Sequence, residues 1–88
     1  MKTAKYFSAT WCGPCKTLGP IMENVKNYKI NVQKIDVDTN SDLTSQFGIR
    51  NIPTVVLVNE MGEEHTRIMG VQSVEKYVSV YESFNIQK

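Results

Sequence analysis

The chain has 88 residues, 41% of them hydrophobic and 22% charged, with a formal net charge of +1 at neutral pH. That length holds one small domain over residues 1–88, near the lower limit at which a single apolar core supports folding without metals or several disulfides. The balance excludes a disordered or collagen-like chain, a basic field for nucleic acid and a polybasic membrane anchor, and no run approaches the roughly 18 apolar residues of a spanning helix.

The start, Met1-Lys2-Thr3-Ala4-Lys5, is charged, but the apolar stretch after it is short and broken by Ser8 and Thr10. No signal peptide is expected, and the cytoplasm is the default location. Ala4 to Ser8 is expected to form a strand, with the bulky Tyr6 and Phe7 on opposite faces. From about Cys12 to Asn27, Leu18, Ile21, Met22 and Val25 recur at i, i+3, i+4 and i+7, one face of an amphipathic helix. Pro14 falls in its first turn, where a missing N–H costs nothing, and Pro20 inside the pattern predicts a kink.

Val32 to Val37 predicts a second strand, with Ile35 and Val37 on one face and Val32, Lys34 and Asp36 on the other; its polar content suits a sheet edge. Thr39-Asn40-Ser41-Asp42 offers several N-caps for a short helix carrying Leu43 and Phe47, which Gly48 is placed to end in a left-handed conformation. Ile52-Pro53-Thr54 leads into Val55-Val56-Leu57-Val58, a β-branched run suited to a buried strand with Pro53 at its first position. Asn59-Glu60-Met61-Gly62 is a turn into a strand from Glu64 to Met69, an antiparallel hairpin that Gly70 closes. Ser73 is suited to cap a last helix on which Val74, Tyr77, Val78 and Tyr81 repeat at i, i+3, i+4 and i+7, with Phe84 one turn further. The order is β-α-β-α-β-β-α, with no internal repeat, low-complexity segment or linker.

Trp11-Cys12-Gly13-Pro14-Cys15 holds both cysteines, where the first strand pattern gives way to a helical one. In a cytoplasmic chain a lone cysteine pair is more often catalytic or metal-binding than a structural staple. Zinc takes about four ligands, and the other strong candidate, His65, is remote and set among the polar Glu63, Glu64, Thr66 and Arg67. The expectation is therefore a solvated His65, no metal and reversible disulfide chemistry, with a zinc site shared by two chains as the alternative. The thiolate is the nucleophile, and a helix N-terminus followed by Lys16 brings cysteine pKa values to roughly 3.5–7.5. Gly13 leaves the first sulfur uncrowded, and Pro14 stiffens the ring that a disulfide must close. Cys12, preceding the first helical turn, is expected to be the exposed attacker and Cys15 the more buried resolver. Tyr77 and Tyr81 fit core packing better than a ligand role, while Lys34 and Asp36 suit either an edge-strand solubility device or a proton relay.

Trp11-Cys12-Gly13-Pro14-Cys15-Lys16, Pro20 in the same helix, Gly48-Ile49-Arg50, Ile52-Pro53-Thr54 and Gly70 together resemble the thioredoxins, in the same order and at similar spacings over nearly the whole chain. The resemblance implies the thioredoxin fold, an α/β architecture with a four-stranded mixed sheet of order 2-1-3-4, strand 3 antiparallel, flanked by helices. It implies a cis Ile52-Pro53 bond, Pro53 packed across from the cysteines, and an Ile52 backbone that pairs with an extended substrate segment. Trp11, Gly13, Pro14, Met69, Gly70 and Val71 would rim the substrate groove. Thioredoxins usually begin with an extra strand and helix, whereas this chain starts at the strand feeding the cysteines, so the strand of Val32 to Val37 is expected at an edge. The family's buried Asp, which assists deprotonation of the resolving thiol, aligns with Tyr6, its usual Lys partner aligns with Lys34, and Ser8 stands where many thioredoxins carry a second Trp. Resolution is therefore expected to depend on water or on the Tyr6 hydroxyl, at an altered rate.

The function so implied is a thiol-disulfide oxidoreductase that reduces protein disulfides through a mixed disulfide. It would bind no cofactor and draw NADPH electrons from a flavoprotein, thioredoxin reductase or similar. Its partners would be disulfide-containing client proteins, with no nucleic acid or membrane, and the chain would be a monomer. A glutaredoxin-like or client-specific electron donor is the first alternative. A redox-independent binding subunit is the second, and the retention of both cysteines, Trp11 and Ile52-Pro53 argues against it.

Overall fold

The computed structural model describes residues 2–86, with side chains as far as Ser83, so the side-chain packing expected of Phe84 lies outside what is described. In chain order the elements are β1 (Thr3–Ser8), α1 (Gly13–Lys26), β2 (Asn31–Asp36), α2 (Ser41–Gln46), β3 (Thr54–Val58), β4 (Glu64–Met69) and α3 (Val74–Ile86). The four strands form one sheet in the order β2-β1-β3-β4, the order 2-1-3-4. β1 runs parallel to β2, and β3 runs antiparallel to both β1 and β4. Among the described residues no helix is long and apolar enough to cross a membrane.

The two inner strands carry the apolar alternation, and every residue of β3 is buried. Tyr6 faces α1 and α3 in a cluster with Leu18, Met22, Val55 and Tyr77. Phe7, one residue on, turns to the opposite face with Ile35, Val56 and Val58, over which Leu43 and Phe47 of the α2 segment pack. This is the period-2 consequence of strand geometry. β2 lies at the sheet edge as its polar residues required, with Ile35 its one buried member.

α1 buries Cys15, Leu18, Met22 and Val25. Ile21 sits only half-buried at the margin of that face. The helix continues through Pro20, whose side is exposed. It ends at Asn27, and the chain then turns at Lys29 with φ 63°, a left-handed position filled by lysine rather than glycine. α2 closes as the sequence proposed. Gly48 takes φ 60°, and the bonds Gly48 N–H to Ser45 O and Ile49 N–H to Thr44 O, both 3.0 Å, form a Schellman motif. Asn40 is the N-cap residue of α2, but its side chain makes no capping bond.

Three tyrosines anchor the α1/α3 face. The Tyr81 hydroxyl donates to Lys2 O at 3.3 Å, Tyr77 donates to Gly70 O at 3.0 Å, and Tyr6 donates to Cys15 O at 2.8 Å. Burial raises all three phenol pKa values above the usual 10.0. A raised pKa means that folding favours the neutral phenol, so its stabilisation is complete below pH about 10 and drains away as pH climbs through the folded-state values. The expected result is a thermal midpoint steady to about pH 9 that then falls, with phenolate absorbance rising together with unfolding. Ionisation of Tyr6, Tyr77 or Tyr81 near pH 10 in an intact fold would contradict this.

Candidate active site

The site grows from the junction of β1 and α1. Cys12 is extended, with φ −88° and ψ 114°, and is the N-cap of α1, with Pro14 in the first turn. Its sulfur accepts the backbone N–H of Cys15 at 3.2 Å. A donor aimed at this sulfur, on the positive end of a 14-residue helix, favours the thiolate over the thiol once the pair is reduced. No acidic residue occupies the first turn to oppose that field. Here Cys12 and Cys15 are joined as a disulfide, with Cα atoms 5.3 Å apart.

The expected contrast in exposure is not found in this oxidised state: Cys12 is 5% exposed and Cys15 4%. Cys12 is drawn inward by its capping role and packs with Ala9, Val37 and Ile52. The two cysteines differ instead in their surroundings. The Cys12 sulfur lies 4.0 Å from the Ile52 carbonyl oxygen, whereas Cys15 lines a cavity behind α1 with Tyr6 and Lys34.

The Ile52-Pro53 bond is cis. Pro53 is buried, and its carbonyl accepts the Gly70 N–H at 2.9 Å, while the β3/β4 register sets Met69 opposite Thr54. Gly70 has φ 78°, a conformation suited to glycine. Cys12, Ile52, Pro53 and Gly70 are thus linked in sequence across one end of the sheet. Around them Met69 and Val71 are exposed hydrophobic residues, as is Trp11 at 68% exposure. Gly13, Pro14 and Lys16 are also exposed.

Two contacts at this end had no periodic signal. The Trp11 indole N–H donates to the Asp38 carboxylate at 2.9 Å, which orients an otherwise open ring. The Tyr77 hydroxyl donates to Gly70 O and accepts the Gln72 N–H at 3.2 Å, tying the loop after β4 to α3. Apolar spacing identifies Tyr77 as core, but a buried phenol also needs a partner for its O–H. The backbone just before its own helix supplies that partner.

Tyr6 and Lys34 stand opposite one another in the β1/β2 register. The Tyr6 hydroxyl reaches the Cys15 carbonyl and not its sulfur. Burial keeps this phenol neutral, offset in part by a hydrogen bond from Ser8. A neutral phenol with its proton committed to a carbonyl is a positioning group for the first turns of α1. Tyr6→Phe is expected to cost about 1 kcal/mol of stability and to change the rate of disulfide resolution by less than about twofold. Urea unfolding and single-turnover kinetics test the two halves. Lys34 is exposed, as are His65 on β4 and Arg50. Among the described residues no group of three or more His, Cys, Asp and Glu gathers in a way that could hold a metal ion.

The family model described as thioredoxin matches residues 4–83. A thioredoxin of Staphylococcus saprophyticus is 37% identical over 79 residues, spanning 86% of this chain and 75% of its own. A bifunctional thioredoxin reductase/thioredoxin of Mycobacterium leprae is 41% identical over 69 residues, 75% of this chain and 15% of that protein. A solved mutant thioredoxin from Halobacterium salinarum superposes with a TM-score of 0.87 at 37% identity, over 94% of this chain and 74% of that one.

Proposed function

The chain belongs to the thioredoxin family and is a thiol-disulfide oxidoreductase, and from that footing we propose how its residues divide the work. Cys12 attacks a client disulfide as a thiolate, and Cys15 displaces the reduced client from the mixed disulfide, leaving Cys12–Cys15 oxidised. The observation that carries this assignment is the position of Cys12 as N-cap of α1, its sulfur receiving the Cys15 N–H and turned toward the Ile52-Pro53 bend. That bend leaves an extended client segment a place to lie against Ile52, between Trp11 on one side and Met69, Gly70 and Val71 on the other. Gly13 and Pro14 keep the approach to Cys12 narrow and stiff. Both thiols lie in one chain, so a single domain acting as a monomer suffices.

Electrons reach the pair from NADPH through a flavoprotein reductase, a reading supported by the relative in which reductase and thioredoxin share one polypeptide. The test is turnover with NADPH, thioredoxin reductase and a protein disulfide. Continuous NADPH oxidation that needs this chain is the expected result. Reduction by glutathione alone, with no response to the reductase, would favour a glutaredoxin-like donor instead.

A further inference from the structure

Behind the first turn of α1 lies a cavity of about 290 Å³, open to solvent. Its walls include Cys15, Tyr6 and Ser8 of β1, Lys34 and Asp36 of β2, and Lys16. The parallel register places Lys34 beside Tyr6 and Asp36 beside Ser8 on the sheet face that α1 covers. Ser8 is buried and small, which leaves the space unfilled. A water needs only about 10–15 Å³ of such space, so a molecule of the size of imidazole has ample room.

We infer that this cavity is a site for small bases carried by solvent, and that such a base takes the Cys15 proton in the resolving step. The inference rests on the assignment of Cys15 as resolver. It follows from what the protein groups around Cys15 are already doing. The Tyr6 hydroxyl is donated to a carbonyl. Lys16 and Lys34 offer ammonium groups, which donate and cannot accept. The Asp36 carboxylate has one oxygen held by the Asp38 N–H at 2.8 Å in the turn after β2, and its other oxygen is the protein acceptor with which a solvent base competes. Cys15 is almost closed to bulk solvent yet lines this cavity, so the cavity is the open route for its proton.

The step balances. With the client held on Cys12, the Cys15 S–H proton passes to the base, and the Cys15 thiolate attacks the Cys12 sulfur. The Cys12–Cys15 bond forms as the bond from Cys12 to the client sulfur breaks, and the client thiolate leaves to be protonated by solvent. Two thiols of this chain become a disulfide while the client disulfide becomes two thiols.

The test uses the reduced full chain and an aromatic disulfide with a coloured thiolate, so that attack and resolution each release one chromophore. At fixed pH and ionic strength, imidazole raised to about 0.2 M should speed the second release roughly threefold and leave the first unchanged. A hindered trimethylpyridine of comparable basicity should give less than about a third of that slope. Ser8→Leu, which fills the cavity, should flatten the imidazole dependence, and Tyr6→Asp, which supplies an internal carboxylate, should raise the imidazole-free rate and remove the dependence. A second release indifferent to imidazole, or equally sensitive to both bases, would overturn this proposal alone. So would an imidazole-free rate that collapses in Asp36→Asn, since Asp36 would then be the acceptor. No second release under any condition would overturn the Cys15 assignment and this proposal with it.

Discussion

Cys12→Ser is expected to lower protein disulfide reduction by at least about a thousandfold, and Cys15→Ser to leave the chain covalently attached to its clients. The two variants fail differently because the two thiols face different surroundings. A serine at position 12 keeps a side-chain acceptor for the Cys15 N–H, so the helix start survives. Its hydroxyl, however, does not ionise near neutral pH and cannot attack a disulfide. A serine at position 15 leaves the attacking sulfur and its approach past Ile52 intact, while nothing remains within reach to displace the client. Non-reducing electrophoresis and intact-mass analysis after mixing with an oxidised client read the outcome directly. Mixed disulfides should accumulate on Cys15→Ser alone. Equal accumulation on both variants would refute the division of roles.

Phe7→Ala is expected to cost about 3–5 kcal/mol, a large share of the roughly 5–15 kcal/mol that holds a small domain together. Phe7 is 0% exposed and is the largest member of the buried cluster that it forms with Ile35, Val56 and Val58. Its ring meets Phe47 at 5.8 Å between centroids, tilted by 59°. That contact joins the inner strand β1 to the segment containing α2, which buries no residue completely by itself. Truncation therefore opens a cavity and loosens the α2 segment, which Leu43 and the 2.7 Å bond from the Arg67 guanidinium to Phe47 O also hold. Urea unfolding should show a lower midpoint with the slope retained. A loss below about 1 kcal/mol would mean that the α2 face collapses onto β1 without the ring.

Much of this architecture is legible in local pattern. Glu64 to Met69 and Val55 to Val58 appear as strands with bounds correct to within a residue, because β-branched runs between turn residues have few competing conformations. Gly48 ends α2 because glycine enters the left-handed region without strain. The polar residues of β2 mark an edge because an inner strand would have to bury them. The strand order and the cis Ile52-Pro53 bond follow from the thioredoxin resemblance and not from periodicity, since both depend on how distant segments meet.

The features without a local signal share a cause. That Cys12 is as buried as Cys15 follows from its capping bond and from Ile52, a residue forty positions away. The Trp11–Asp38 bond spans 27 positions, and the Tyr77 hydroxyl serves a loop as well as a core. Lys29 takes φ 63° in the turn after α1, a left-handed position that glycine more often fills. The cavity beside Cys15 comes from a small residue, Ser8, next to a large one, Tyr6, and volume left between side chains has no signature in a linear pattern.

The central claim is that Cys12 and Cys15 form a reversible two-electron couple poised for reduction. Equilibration of the chain with graded glutathione redox buffers, read through Trp11, the one tryptophan, tests it most directly. A single two-electron transition at a potential more negative than about −230 mV is predicted. A transition near −120 mV, the range of strong oxidants, or no reversible transition, would contradict it.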